Sequence, residues 1–195
     1  MRYDARQKDR TRAAVLSEAA AAIRAAGSAQ VSVADLMARA GLTHGGFYAH
    51  FKSKDDLVAH AITRMFDEAY ATFLSLTEGR DPAKGLSNYI DMYMAPKHRD
   101  DPAHGCPIAA LSADARHLGD FARSRFGEGT ERMVAAIAKQ LKKMGAKGSD
   151  ALASSILSEM AGAVALARAV VDAERSLQIL RSSRAAVTAR LDLAK

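Results

Sequence analysis

The chain has 195 residues, 49% apolar and 26% charged, a globular balance that excludes disordered, collagen-like and disulfide-scaffold proteins. The single cysteine, Cys106, excludes an internal disulfide or a multi-thiolate metal cluster and fits a reducing compartment. The net charge of +6, from 28 Lys and Arg against 22 Asp and Glu, suits a polyanionic partner.

Few Pro, no Trp and an abundance of Ala, Leu, Met, Arg and Lys favour helices and no sheet. The first helix is expected over 8–26, where Val15, Ala19, Ala22, Ile23 and Ala26 recur at helical spacing before a stop at Gly27. Its Ala-rich start resembles a secretory leader, but Glu18 and Arg24 interrupt the apolar run. The best membrane candidate, Met160 to Val171, is shorter than the roughly 18 residues a span needs and contains Arg168. A cytoplasmic protein with no membrane partner is therefore expected.

Ser32-Val33-Ala34-Asp35 reads as a capping box, with Asp as a short substitute for Glu, opening a two-turn helix that Gly41 closes. Thr43 caps a short third helix. Ser53 with Asp56 caps a long fourth one, striped by Val58, Ile62, Met65, Ala69, Phe73 and Leu76. Further helices are expected over 82–95, 108–115, 117–144, 149–171 and 174–191, with a Pro/His/Asp-containing loop reaching Gly105. The result is an all-α chain of about nine helices: a three-helix unit over 1–53 and a body of longer helices over 54–195.

Two short helices joined by a Gly turn describe a helix-turn-helix. On a helical wheel Phe47 and Phe51 share a packing sector, while His44, Gly45, Tyr48 and Ala49 occupy the adjoining free sector. Gly45 and Gly46 each cost a helix roughly 1 kcal/mol relative to Ala, so stability does not explain the pair; close approach of the backbone to another molecule does. The free amides of this first turn suit phosphate, and His44 suits a base edge. Tyr48, Lys54, Arg10 and Arg12 are phosphate candidates that would fix position without reading sequence. Double-stranded DNA is the implied partner.

The run from Leu42 to Leu57, LTHGGFYAHFKSKDDL, resembles the signature of the TetR family of bacterial transcriptional regulators, and the resemblance extends from about Lys8. It implies a homodimer with an N-terminal DNA-binding domain and a helical C-terminal domain that binds a small ligand and dimerises through its last two helices. Most members of that family repress, releasing operator DNA when ligand spreads the two heads. The residues matching Ser32, Thr43, His44, Gly45, Tyr48, His50 and Lys54 contact DNA there or lie beside it.

In the body, Leu152, Ile156, Met160, Ala163 and Ala167 lie on one side of the eighth helix, with Leu157, Ala161, Val164 and Ala165 on others, so it must be covered from both sides. Leu177, Leu180, Val187 and Leu191 follow at heptad-like spacing, fitting either a four-helix dimer interface or a bundle within one chain. Tyr89, Met92, Tyr93, Phe121 and Met133 are candidates for an apolar ligand pocket, although most residues of these types are ordinary core.

In Gly105-Cys106-Pro107-Ile108, Pro107 suits the first helical position and places Cys106 at the N-cap, with Lys97, His98, Arg99 and His104 nearby in sequence. The segment 105–116 looks like one in a TetR subfamily, some members of which sense electrophiles through a cysteine there. A ligand-contacting or electrophile-sensing role and a structural role both stand open for Cys106. A Cys–His pair alone lacks the positional signature of a thiol hydrolase. No phosphate-binding Gly loop, paired metal histidines or calcium loop appears, so neither an enzyme nor a cofactor or metal is expected. The competing expectation is a helical small-molecule-binding protein that activates transcription or does not bind DNA.

Overall fold

A computed structural model describes residues 2–193, with side chains for all of these except residues 2–5 and His44. The described residues form nine α-helices, three short 3-10 turns and no strand. The helices are α1 (Arg2–Ala26), α2 (Val33–Arg39), α3 (Lys54–Thr77), α4 (Pro82–Tyr93), α5 (Pro96–Asp100), α6 (Pro107–Leu111), α7 (Asp120–Lys143), α8 (Ser149–Ala169) and α9 (Ala173–Arg190). The 3-10 turns span His44–Ala49, Pro102–His104 and Ala115–His117. The helix count agrees with expectation but its membership differs. The third predicted helix is a 3-10 turn, and the Pro/His/Asp loop contains the five-residue α5.

Local caps follow the sequence. Ser32 Oγ accepts from the Asp35 N–H at 3.4 Å, and Ser53 Oγ from the Asp56 N–H at 3.1 Å. Asp56 reaches back to accept from the Lys52 N–H at 2.9 Å, one residue before the N-cap amide that a reciprocal box would use. Thr43 stands at the N-cap of the 3-10 turn, yet its hydroxyl makes no capping bond. Gly41, at φ 71°, ends α2, and the Leu42 N–H reaches the Met37 carbonyl at 2.8 Å.

The head packs Val15, Ala19 and Ile23 of α1 against Leu36, Met37, Phe47 and Phe51, all buried. α3 belongs to two layers: its Leu57 and Val58 are buried beside the head, and Met65, Phe66 and Phe73 are buried in the body. Phe66 lies against the backbone of α7, where a Cβ on Gly129 would stand 2.2 Å from its ring atoms. Glycine there sets the approach of α3 and α7.

α8 is the one described helix long and apolar enough to cross a membrane, over Ser149–Ala169. It packs on α7 and α9, and its Arg168 donates to backbone carbonyls of the α5 segment. Leu180, Val187 and Leu191 are buried within the chain. These heptad-spaced residues therefore serve the chain's own bundle, the second of the two alternatives their spacing left open, and not a dimer interface. What α8 leaves exposed is a stripe of small residues, Ala151, Ser154, Ser158, Gly162, Ala165 and Ala169, bordered by Leu166, which is 61% exposed. α9 adds the exposed Ala185, Ala186 and Ala189.

Candidate nucleic-acid interface and effector cleft

The 3-10 turn at 44–49 carries the first site. Two glycines at its start disfavour α-helix, and the tighter turn places residues three apart above one another. Phe47 and Phe51 point inward, their ring centroids 5.6 Å apart, while Gly45, Tyr48 and Ala49 face outward. Tyr48 is 71% exposed, its ring held edge-on to Phe47 at 5.3 Å. A large aromatic left this open is not a core residue.

A Cβ on Gly45 would meet nothing within 4 Å, and one on Gly46 only Met37 and Thr43 side-chain atoms at 3.7 and 3.8 Å. Neither glycine has a positive φ. The fold itself therefore does not require glycine at either position. Ser32, Thr43, Lys54 and Arg10 are exposed around this turn. The His44 side chain lies outside the described residues.

Arg12 and His50 stand differently from the other candidates. The Arg12 guanidinium lies 5.0 Å from the Phe51 ring centroid, a cation–π contact inside the head. His50 is half-buried, and its Nδ1 is buried with no hydrogen-bond partner. Burial, then the Lys8 and Arg12 charges, lower its pKa below the ordinary 6.5, so the ring is neutral at pH 7.

The second site is a cleft of about 70 Å³ between α3, α4 and the segment 98–106. Tyr89, Met92, Tyr93 and Cys106 line it together, joined by Glu68 and His98. Tyr93 rests edge-on against Tyr89 with centroids 5.8 Å apart. Burial pushes both phenols well above their ordinary value, and Cys106 adds to the shift of each. The buried Tyr93 hydroxyl has no hydrogen-bond partner of good geometry. Roomier depressions lie outside, between α4 and α9 and between α1 and α3, both edged by charged residues.

Phe121 and Met133 do not line the cleft. Phe121, near the start of α7, is 45% exposed, with His60 against it and the Arg125 guanidinium 5.0 Å from its centroid. Met133 faces the helical core and is buried. Their residue types suit a pocket as well as the cleft residues do; which side of the bundle each meets is set by long-range packing.

Cys106 is the N-cap of α6, as its Pro107 neighbour implies, and is buried. Its surroundings differ from those expected. Lys97 is exposed, His104 pairs with Asp101 at 3.0 Å, and Arg99 pairs with Asp100 at 2.7 Å. Only His98 reaches Cys106, and it does so at the backbone: Nε2 accepts from the Cys106 N–H at 3.0 Å. Its Nδ1–H donates to the Tyr93 carbonyl at 2.6 Å. Both ring nitrogens of a neutral imidazole are thus occupied, and burial lowers its pKa further, aided by Arg168 and opposed by the Tyr93 bond and Asp101.

Sequence reasoning missed Arg168, whose Nε and Nη2 donate to the Arg99 and His98 carbonyls, each at 2.9 Å. It also missed Arg24, buried among the apolar residues of α1. The available signal was a cation one turn from Ala20 on the face that packs inward.

An exposed glycine-led turn on a head of two α-helices, joined to a helical body with its own cleft, fits a DNA-binding transcriptional regulator. Comparison with known proteins agrees. Residues 15–61 match the family described as bacterial regulatory proteins, tetR family, and residues 82–183 match the transcriptional regulator LmrA/YxaF-like C-terminal domain. The chain belongs to the TetR family of transcriptional regulators.

Solved structures share the fold across nearly the full length. A TetR transcriptional regulator from Chloroflexus aurantiacus is 24% identical, with a TM-score of 0.80 over 96% of each chain. Reduced NemR of E. coli is 19% identical, with a TM-score of 0.79 over 91% of this chain and 96% of its own. A TetR-family regulator from Agrobacterium tumefaciens is 23% identical, with a TM-score of 0.78 over 91% and 97%. No curated protein sequence matches the chain.

Proposed function

We propose that the protein is a cytoplasmic homodimeric repressor that leaves its operator when a small molecule, or modification of the Cys106 thiol, changes the cleft. The head comprises residues 1–53 and the effector and dimerisation body 54–195. The observation carrying the reading is the outward face of the 44–49 turn: two glycines that the fold does not need, beside a tyrosine 71% exposed. There Gly45 and Gly46 admit a phosphate or base edge to the backbone, with His44 as the base reader. Tyr48, Thr43, Ser32, Lys54 and Arg10 contact phosphates, and Arg12 and His50 support the turn from behind.

The small-residue stripe of α8, with the alanines of α9, allows the close helix approach of a two-fold interface, with Leu166 as its largest apolar contact. Two heads about one helical turn or more apart then read a palindromic operator. Both His98 nitrogens are committed to backbone partners, so that ring is not free to serve the Cys106 thiol as a base.

A gel-shift against the DNA upstream of the protein's own gene, at two salt concentrations and with and without a thiol-reactive compound, tests the reading. Salt-sensitive binding by a dimer is expected. A protein that is monomeric at micromolar concentration, or that shifts no duplex at low salt, overturns it.

A further inference from the structure

We infer that Glu68 and Arg24 form the joint through which the cleft sets the position of the DNA-reading head. The inference rests on the regulatory reading above and assigns the residues that carry it.

Arg24 belongs to α1, yet its side chain bonds to two other elements. Nη2 donates to the Met65 carbonyl at 3.1 Å and to Glu68 Oε2 at 2.7 Å, both on α3. Nη1 donates to the Ala103 carbonyl at 3.2 Å, in the segment that carries His98 and Cys106 along the cleft. Glu68 is itself a cleft residue. Its other oxygen accepts from Arg64 Nε at 2.8 Å, and Arg64 in turn reaches the Ala13 carbonyl and Ser17 hydroxyl of α1, each at 3.4 Å. One carboxylate at the cleft therefore orders two guanidiniums that tie α1 to the body.

The joint is not built for maximal stability. Arg24 is buried, and its Nε–H has no partner, an unmet donor of the kind stable cores avoid. Among the described residues, Glu68 is its one acidic partner. Removing one side of such a pair strands a buried charge, so movement of Glu68 obliges Arg24 to move.

The cleft supplies the push. At about 70 Å³ it is smaller than the roughly 300–1,000 Å³ of small-molecule sites, so a drug-sized occupant enters only as a wall yields. The opposite end of the 98–106 segment is fixed to α8 by Arg168 and to α9 by the Arg99–Ser176 bond of 2.9 Å. The α3 wall and the Ala103 end are the parts of the lining that the joint bonds to α1, so displacement there reaches the head. Arg24 and Glu68 are positioning residues; neither touches DNA.

Hydrogen exchange on the full chain tests this without an identified effector, using a substituted side chain to fill the cleft. Met92→Trp, with the milder Met92→Phe carried alongside against misfolding, is compared with Glu68→Gln and with the combined variants. Each Met92 substitution is expected to speed exchange about 10-fold over 20–27 and 44–51 while α7 and α8 stay at wild-type rates. Glu68→Gln does the same, and the combination is no faster than Glu68→Gln alone, because both act through one joint.

Wild-type head exchange in a folded Met92 variant, or multiplied effects in the combination, overturns the inference. A parallel gel-shift on the wild type separates the two readings: failure to shift any duplex removes the repressor proposal, while the exchange data still decide the joint.

Discussion

The head's recognition turn and the body's 98–106 segment are both short and irregular, and each follows a helix that ends nearby, yet they are held in opposite ways. The turn is anchored by two buried phenylalanines, while Gly45, Tyr48 and Ala49 face outward. The 98–106 segment is bonded from α1, α4, α8 and α9 at once. The contrast separates two requirements. A reading surface must leave its polar groups free for another molecule, whereas a segment that transmits a change must be attached to everything it moves.

If the contrast is right, substitutions in the body should act on stability and those in the turn on DNA affinity. The largest effect is expected from Gly129→Val, whose Cβ would stand 2.2 Å from Phe66. Overpacking at backbone this close costs about 3 kcal/mol, read as a fall in the denaturation midpoint, with DNA affinity of the folded fraction retained.

Arg168→Met removes two charge-assisted bonds to the 98 and 99 carbonyls and is expected to cost about 2 kcal/mol. It should also hasten reaction of Cys106 with a thiol reagent, timed by mass spectrometry. Unchanged thiol kinetics would mean that Arg168 does not restrain the segment.

Gly45→Ala separates the regions most cleanly, since the added methyl meets nothing inside the molecule. Stability should rise by up to about 1 kcal/mol, because alanine leaves the unfolded chain less conformational freedom to lose. Affinity for operator DNA should nonetheless drop at least about 10-fold, near 1.4 kcal/mol, as the methyl enters space the duplex needs. Tyr48→Phe should lose about 1 kcal/mol of binding equally on cognate and scrambled duplexes, as removal of a phosphate contact does.

The same contrast explains what could be read from the sequence. In the head the functional residues are consecutive, and their meaning is local: a cap at Ser53, a stop at Gly41 and the alternation of Phe47 and Phe51 with Gly45 and Tyr48 follow from spacing alone. A wheel drawn for an α-helix separates the faces correctly even here, because over six residues a 3-10 turn drifts little from it. In the body the helices are legible, but the cleft is not. Tyr89 and Tyr93 share a face by their spacing, whereas Phe121 and Met133 fall elsewhere because α7 presents its residues to α3. The α9 leucines illustrate the same limit: heptad spacing identifies a buried seam without saying whether its partner belongs to the same chain. Arg24 and Glu68 are 44 positions apart, and no periodicity links them.

The smallest expected effect, a dependence of stability on pH, tests whether the 98–106 segment is a real attachment point. His98 accepts from the Cys106 N–H, a bond available only to a neutral ring, and burial with the Arg168 charge outweighs Asp101 and the Tyr93 carbonyl in keeping its pKa below 6.5. In the unfolded chain the ring titrates at its ordinary value. Above about pH 6.5 neither state is protonated and the contribution is whole; as pH falls from 6.5 through the lower folded pKa, the unfolded chain takes up the proton first and stability is lost. His50 and His60, also lowered chiefly by burial, act in the same direction. Thermal unfolding from pH 7.5 to 5.5 should therefore show a falling midpoint, shallower in His98→Asn, where the amide can keep the Tyr93 bond, loses the Cys106 one and cannot be protonated. A slope equal in the two proteins would place the acid sensitivity in His50 and His60 rather than in the 98–106 segment.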